Sequence, residues 1–269
     1  MEVARPGETE APAAEIAYDA IAPVYDDFTA HHNYDAWLKE LLTYLERQGL
    51  TGRRLLDVGC GTGKSFIPML RWGWEVTAAD ISAAMVELAR QKVGERAELL
   101  VADTRQLPHL GEFDLVWSLD DAINYLLSGE DLEQALRAIR PNLAPETGLL
   151  LFDTNELETY RTFFAEEVEV ERNGRRLIWH GRSSADAAPG SISEAVFEVE
   201  PLAGTEAAAI APETHRQRHF PEAEVLAALE RCGYEPLAVY GMSTDGILRQ
   251  PLDSERHSKA VYISRLARA

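Results

Sequence analysis

The run Leu55-Leu56-Asp57-Val58-Gly59-Cys60-Gly61-Thr62-Gly63 constrains this chain more than any other stretch. Leu55, Leu56 and Val58 read as the end of a buried strand. Three glycines at alternate positions then force a tight turn, and Lys64-Ser65-Phe66-Ile67 opens a helix. Glycine is needed where a backbone takes positive φ or lets a ligand touch the main chain. Between a strand and a helix, such a turn is a seat for a nucleotide-like ligand. Glu75-Val76-Thr77-Ala78-Ala79 is a second apolar strand, and it ends on Asp80, about 20 residues beyond the glycines. An acid at the tip of the second strand accepts hydrogen bonds from both hydroxyls of a ribose.

The spacing of the turn narrows the ligand. It is G-x-G-x-G, not the G-x-G-x-x-G whose geometry admits a pyrophosphate at a helix N-terminus. Asp57, two residues before the first glycine, repels a diphosphate but suits a cationic amine. A ribose, an ammonium group and no phosphate describe S-adenosylmethionine.

With these residues in place, the chain resembles the class I SAM-dependent methyltransferases from about Tyr18 to the C-terminus. Leu55 to Gly63 is similar to their first motif. Asp80-Ile81-Ser82 followed by Met85 resembles the ribose acid, the apolar residue on the adenine face and a later adenine contact. Ala102-Asp103-Thr104 resembles the segment after the third strand, where an Asp side chain meets the adenine amino group. Phe113-Asp114-Leu115-Val116 is similar to the fourth strand, leading to Leu119-Asp120-Asp121, and Leu149-Leu150-Leu151-Phe152-Asp153 to the fifth. A closer likeness is to the small-molecule and uncharacterised branch with an N-terminal aromatic lid and a β insert. It rests on Tyr18-Asp19-x-x-Ala22-x-x-Tyr25-Asp26, Asp121-x-x-Asn124-Tyr125, Phe152-Asp153-x-Asn155 and His215-x-x-Arg218. The resemblance implies an α/β fold, a Rossmann-like seven-stranded, mostly parallel sheet with helices on both faces and a small antiparallel β insert. It also implies that S-adenosylmethionine is the cofactor, leaving as S-adenosylhomocysteine, and that the acceptor is a small metabolite.

The coarse reading agrees with that order. Residues 1–15 are expected to be a flexible tail and 16–50 a helical lid carrying Tyr18, Tyr25, Phe28, Tyr34, Trp37 and Tyr44. Leu38, Leu41, Leu42 and Leu45 have the spacing of a helix that packs on a sheet. Strand and helix alternate through 51–155, implying parallel pairing with right-handed crossovers. From 156 to 220 the pattern turns to short strands. Asn173-Gly174 sits between two of them and signals a hairpin. Residues 221–269 read as a helix at Glu222 to Arg231 and two strands that complete the main sheet.

Composition bounds the partners. The net charge of −19 repels a phosphate backbone, and no basic patch with interleaved aromatics stands out, so nucleic acid is not the expected substrate. There is no stretch of about 18 consecutive apolar residues, so no membrane span is expected. The acidic, Ala/Pro-rich start does not read as a secretory signal. With only Cys60 and Cys232, a reduced cytoplasmic protein, monomer or homodimer, is the simple expectation.

Thirteen positions are candidate cofactor contacts: Tyr18, Tyr25, Asp57, Gly59, Cys60, Gly61, Gly63, Asp80, Ile81, Met85, Asp103, Thr104 and Leu119. For Tyr18 and Tyr25 the role follows from the lid resemblance, since aromatics at helical spacing are otherwise core residues. Substrate contacts are expected from Tyr25, Asn124, Asn155, His215 and Arg218, and chemistry from His215, Asp121 and Tyr25. Asp121 and Asn124 follow the fourth strand, at the sheet edge where ligands bind; Asp153 and Asn155 end the fifth and are equally explained as turn caps. Thr214 to Phe220 alternates, so His215, Gln217 and His219 share a strand face. Two histidines four residues apart on a strand are roughly 13 Å from each other, too far to share a metal, and none is assigned. His215 is a candidate general base because imidazole titrates near neutrality, though a structural histidine needs no further role. Two other readings stay open: a nicotinamide-dependent oxidoreductase, and a SAM-binding subunit without catalytic activity.

Overall fold

The computed structural model describes residues 13–268. The first helix, α1, spans Ala13–Phe28, so residues 13–15 of the expected tail are already helical; 1–12 lie outside the described residues. Helix α2 covers Tyr34–Arg47 and starts where the Asn33 side chain accepts from the Ala36 amide, an N-cap bond. Leu38, Leu41 and Leu45 lie on one face of α2 and are fully buried. Burial of each is worth about 1.5–3 kcal/mol relative to exposure.

The central part alternates as expected: β1 Arg54–Val58, α3 Ile67–Arg71, β2 Glu75–Asp80, α4 Ala83–Val93, β3 Glu98–Val101, β4 Leu115–Ser118, α5 Gly129–Ile139 and β5 Leu149–Asn155. Strand β4 begins at Leu115, two residues later than the apolar run suggests. The insert follows: α6 Leu157–Arg161, β6 Glu167–Arg172, β7 Arg175–Gly181, β8 Ile192–Pro201 and β9 Ile210–Arg218. The chain closes with α7 Glu222–Arg231, β10 Tyr234–Met242, β11 Leu248–Arg249 and β12 Lys259–Leu266.

The main sheet has the order β11-β10-β12-β5-β4-β1-β2-β3. Strands β1 to β5 are parallel, while β12 runs antiparallel to β5 and to β10. The sheet is thus eight-stranded, one more than expected, because the two residues of β11 pair with the end of β10 at an edge. Side-chain alternation sorts its two faces. Leu56, Val58, Val116, Leu150, Phe152 and Tyr262 pack against α5 and α7. Leu55, Trp117, Leu149, Leu151, Val261 and Ile263 pack against α2, α3 and α4. Near-continuous apolar strands follow from having both faces covered.

The insert is a separate antiparallel sheet, β6-β7-β8-β9. Its hairpin turn is the Asn173-Gly174 pair, both at positive φ (49° and 74°), as a two-residue type I′ turn requires. Its inner face, with Leu177, Trp179, Ala195, Phe197 and Val199, packs on Ile21, Ala22 and Val24 of α1. Helix α1 thereby bridges β9 of the insert and α4 of the main layer.

Candidate active site

A cavity of about 370 Å³ opens at the carboxyl ends of the parallel strands. Its floor is the glycine turn after β1. Gly59, Gly61 and Gly63 all have positive φ (79°, 51° and 89°). A Cβ on Gly59 would stand 2.7 Å from that of Ala122, a contact no real side chain makes. A Cβ on Gly61 would come within 3.9 Å of the Tyr25 ring, which lies over the turn. Four of the turn's amides are spent inside the fold. Gly59 and Cys60 donate to Ala79 O, Gly61 to Asp80 and Gly63 to Cys60 O. None of these four donors remains free for a diphosphate, which counts against a dinucleotide reading.

Asp80 ends β2 beside the turn. One carboxylate oxygen accepts from Gly61 N at 2.7 Å and the other from Ser82 N at 2.9 Å. Each oxygen keeps acceptor capacity, and Asp80 lines the cavity, which fits a ribose diol. Burial pushes its carboxyl above the ordinary value, with the two amides working the other way. Asp103, Thr104 and Ile81 line the same cavity. Both oxygens of Asp103 already bind the Arg105 guanidinium, which also reaches Asp131 of α5 at 3.0 Å. Any adenine contact at Asp103 is therefore shared with Arg105.

Beyond β4 the backbone makes an unusual turn. Asp120 and Asp121 both adopt left-handed conformations, with φ 61° and 57°. Both of their N–H groups turn to Asp153 of β5, which accepts from Asp120 N at 3.0 Å and from Asp121 N at 2.6 Å. Lys259, the first residue of β12, then sits among the three acids: Asp121 at 2.7 Å, Asp120 at 3.3 Å and Asp153 at 3.4 Å. Burial works against its ammonium, but the carboxylates outweigh it and hold the charge. Asp120 is kept below the ordinary carboxylate range despite burial, by Lys259, His32 and Tyr34. Asp121 is pushed up, chiefly by burial and by its neighbouring acids.

The lid brings Tyr18, Tyr25 and Tyr34 to the cavity wall, joined by Tyr125 from the turn after β4. Tyr34 donates to Asp120 at 2.6 Å, and Tyr18 donates to Tyr125 at 3.0 Å. Tyr125 in turn contacts His215 Nδ1 at 2.8 Å.

Of the expected cofactor contacts, Tyr18, Tyr25, Gly59, Cys60, Gly61, Asp80, Ile81, Asp103, Thr104 and Leu119 line the cavity. Three do not. Gly63 shapes the turn, its φ allowing the Phe66 ring to pack where a Cβ would stand. Asp57 is fully buried beneath the turn, held by the Ser65 hydroxyl, with its carboxyl pushed up to about 7 by that burial. Met85 packs in the core between α1 and α4.

The substrate candidates also separate. Tyr25 faces the cavity, whereas Asn124 and Asn155 are buried struts. Asn124 donates to Arg218 O and accepts from Asn155 N, while Asn155 donates to Gln217. Arg218 is paired with Glu224 and stacked over Phe220. His215 shares the buried face of β9 with Gln217 and His219, as alternation predicts, but it stands behind Tyr125 and outside the cavity lining. Burial pushes it down to about 4, so at neutral pH the imidazole is uncharged. Asp121 also lies behind the wall, bonded to Lys259 and Gln217; its neighbour Asp120 is the acid that lines the cavity. Lys259 carries no local sequence signal for this assembly, Tyr34 only its place among the lid aromatics and Tyr125 only the branch likeness.

Residues 55–146 match the family described as a methyltransferase domain. The chain is 32% identical to the putative methyltransferase YqeM of Bacillus subtilis strain 168, over 85% of this chain and 90% of that protein. The fold is similar to that of a S-adenosylmethionine-dependent methyltransferase from Clostridium acetobutylicum ATCC 824. That likeness has a TM-score of 0.76 at 18% identity and covers 93% of this chain and 99% of that one. It is also similar to SAM-bound CalS10, an amino pentose methyltransferase from Micromonospora echinaspora. There the TM-score is 0.61 at 19% identity, covering 97% and 99% of the two chains. With a G-x-G-x-G turn after β1, an acid at the tip of β2 and a relative matched along nearly its whole length, the chain belongs to the class I SAM-dependent methyltransferase family, and S-adenosylmethionine is its cofactor.

Proposed function

We propose that this enzyme transfers the methyl group to a nitrogen or oxygen atom of a small soluble metabolite. The observation that supports this reading best is the shape of the site. One cavity holds the glycine turn and Asp80 at its floor, while the lid tyrosines and the insert residues Thr214 and Arg216 form its wall. An enclosure of this kind suits a small acceptor better than a polymer, and the net charge of −19 disfavours a polyanion. The likeness to an amino pentose methyltransferase is consistent with it.

Gly59, Cys60, Gly61, Asp80, Ile81, Asp103, Thr104 and Leu119 would hold the cofactor, with Tyr25 closing over the turn. When bound, S-adenosylmethionine supplies an activated methyl group on a sulfonium, so little electrophilic help is asked of the protein. What the chain contributes is orientation and exclusion of water, which well-aligned intramolecular systems show can reach about 7–11 kcal/mol. The ring faces of Tyr18 and Tyr25 can hold a cation by a contact worth roughly 1–2 kcal/mol when desolvated. Asp120 is the carboxylate placed to accept a hydrogen bond from an acceptor N–H or O–H, since His215 is neutral and behind the wall. The test is incubation of the enzyme and isotope-labelled S-adenosylmethionine with a whole-cell lysate, followed by separation of small molecules from macromolecules and mass spectrometry. Label in a small molecule is expected; label confined to nucleic acid or protein would overturn the reading.

A further inference from the structure

The hydroxyls on the cavity wall are not equivalent. Tyr18 spends its proton on Tyr125 and Tyr34 spends its own on Asp120. Tyr125 lies 2.8 Å from His215 Nδ1, so one of the two donates. The far side of the imidazole decides which. His215 is 1% exposed and its Nε2 has no partner among the described residues. If Tyr125 donated, the ring proton would sit on Nε2 as a buried N–H with nothing to bond. With the proton on Nδ1, Nε2 keeps only an unpaired lone pair, the less costly defect. Tyr125 Oη then accepts twice, from Tyr18 and from His215, which fills its acceptor capacity. Its own proton is left to point into the cavity that Tyr125 lines. Burial raises the phenol well above its ordinary value, so that proton stays in place.

The position of this donor along the sheet says what it meets. The cavity runs from Asp103 after β3, past Asp80 at the tip of β2, over the glycine turn after β1, to the segment after β4. Adenine toward Asp103 and ribose on Asp80 leave the amino-acid end of the cofactor over the glycine turn and β4. The amides of Gly59, Cys60, Gly61 and Gly63 are already bonded there, and Lys64 is turned onto Thr29. A side-chain donor on the wall is placed to meet a carboxylate arriving at that end.

We propose that Tyr125, locked by Tyr18 and His215, is the fixed hydrogen-bond donor for the carboxylate of the cofactor's amino-acid end, and that His215 is a positioning residue and not a base. The assignment concerns the cofactor and is independent of which metabolite is methylated.

The test compares binding of S-adenosylhomocysteine with that of 5′-deoxy-5′-methylthioadenosine, which has the adenosine and the sulfur but no amino-acid end. By isothermal titration calorimetry, Tyr125→Phe weakens S-adenosylhomocysteine roughly tenfold, as loss of a charge-assisted bond does, and leaves methylthioadenosine within about twofold. His215→Met, which leaves the cavity wall untouched, gives a smaller loss in the same direction, again for S-adenosylhomocysteine alone. Equal losses for both ligands, or none for either, overturn the proposal. Nitrogen-15 NMR of the His215 ring supplies a readout that needs no variant. A proton on Nδ1 at neutral pH is expected, and a proton on Nε2 overturns the locked donor. Neither measurement depends on methyl transfer, so a failed acceptor assay leaves the test standing.

Discussion

The two walls of the cavity are held together in opposite ways. On the β1–β3 side, each functional acid is fixed by residues close to it in sequence. Asp80 accepts from Ser82 and Gly61, Asp103 from Arg105, and the glycine turn donates to Ala79 at the end of the next strand. On the β4–β5 side, the groups are fixed by partners far along the chain. Asp120 and Asp121 depend on Lys259, Asn124 on Arg218, Asn155 on Gln217 and Tyr125 on His215. The β1–β3 side is therefore a local motif, while the β4–β5 side is assembled only when the insert and the last strand have docked.

The largest expected break in this contrast is Lys259→Met. It leaves three clustered carboxylates without their cation and is expected to cost about 3–5 kcal/mol of stability, read by urea unfolding. The loss should shrink as pH falls and the carboxylates take up protons. A loss that does not vary with pH would mean that packing, not charge, joins β12 to the turn after β4.

Next is the pH dependence of His215. Its folded pKa of about 4 lies below the ordinary 6.5, so the unfolded chain binds the extra proton. The stability this group contributes is full above about pH 6.5 and declines as pH falls toward 4, by about 3 kcal/mol in all. Asp57 and Asp121, whose carboxyls are pushed up, act in the opposite direction over this range. The His215 contribution is therefore read as the difference between the wild type and His215→Gln, and parallel curves would count against a buried neutral imidazole.

On the local side, Asp80→Ala should leave the fold intact and weaken S-adenosylmethionine binding by roughly 1.5–3 kcal/mol, the range for hydrogen bonds to a charged group. Calorimetry that shows unchanged affinity would remove the ribose from Asp80. The smallest effect is expected at the hairpin. Asn173→Ala puts a less tolerant residue at φ 49° and deletes the Asn173 contacts to Asp27 of α1. About 1 kcal/mol of stability should be lost, with cofactor affinity unchanged. A fall in affinity instead would tie the hairpin to cofactor binding.

The same contrast explains what the sequence disclosed. The glycine turn, Asp80, Asp103 and the strand–helix alternation were legible because their chemistry needs particular residues at short, fixed spacing. The Asn173-Gly174 hairpin and the buried face of His215, Gln217 and His219 were legible for the same reason, through turn chemistry and a period of two. Lys259 was not, because the start of an apolar strand gives no sign of the acids it will meet. Asp121 is the acid that the branch likeness favours over Asp120, yet Asp120 lines the cavity and Asp121 does not, because the left-handed turn that aims them is set by Asp153. Asn124, Asn155 and Arg218 resembled ligand groups, yet polar residues at a sheet edge serve equally as struts between layers, and only the docked insert shows that they do.

Helix α1 packs on β9 and on α4 at once, through Ile21, Ala22 and Val24. During synthesis it leaves the ribosome before its partner strand exists, so its apolar side must wait unpaired while the central sheet forms behind it. The cover of the binding pocket is in this way the first described element to be made and among the last to find its seat. A nascent chain arrested before β9 should carry α1 in a protease-sensitive state that the finished protein has lost.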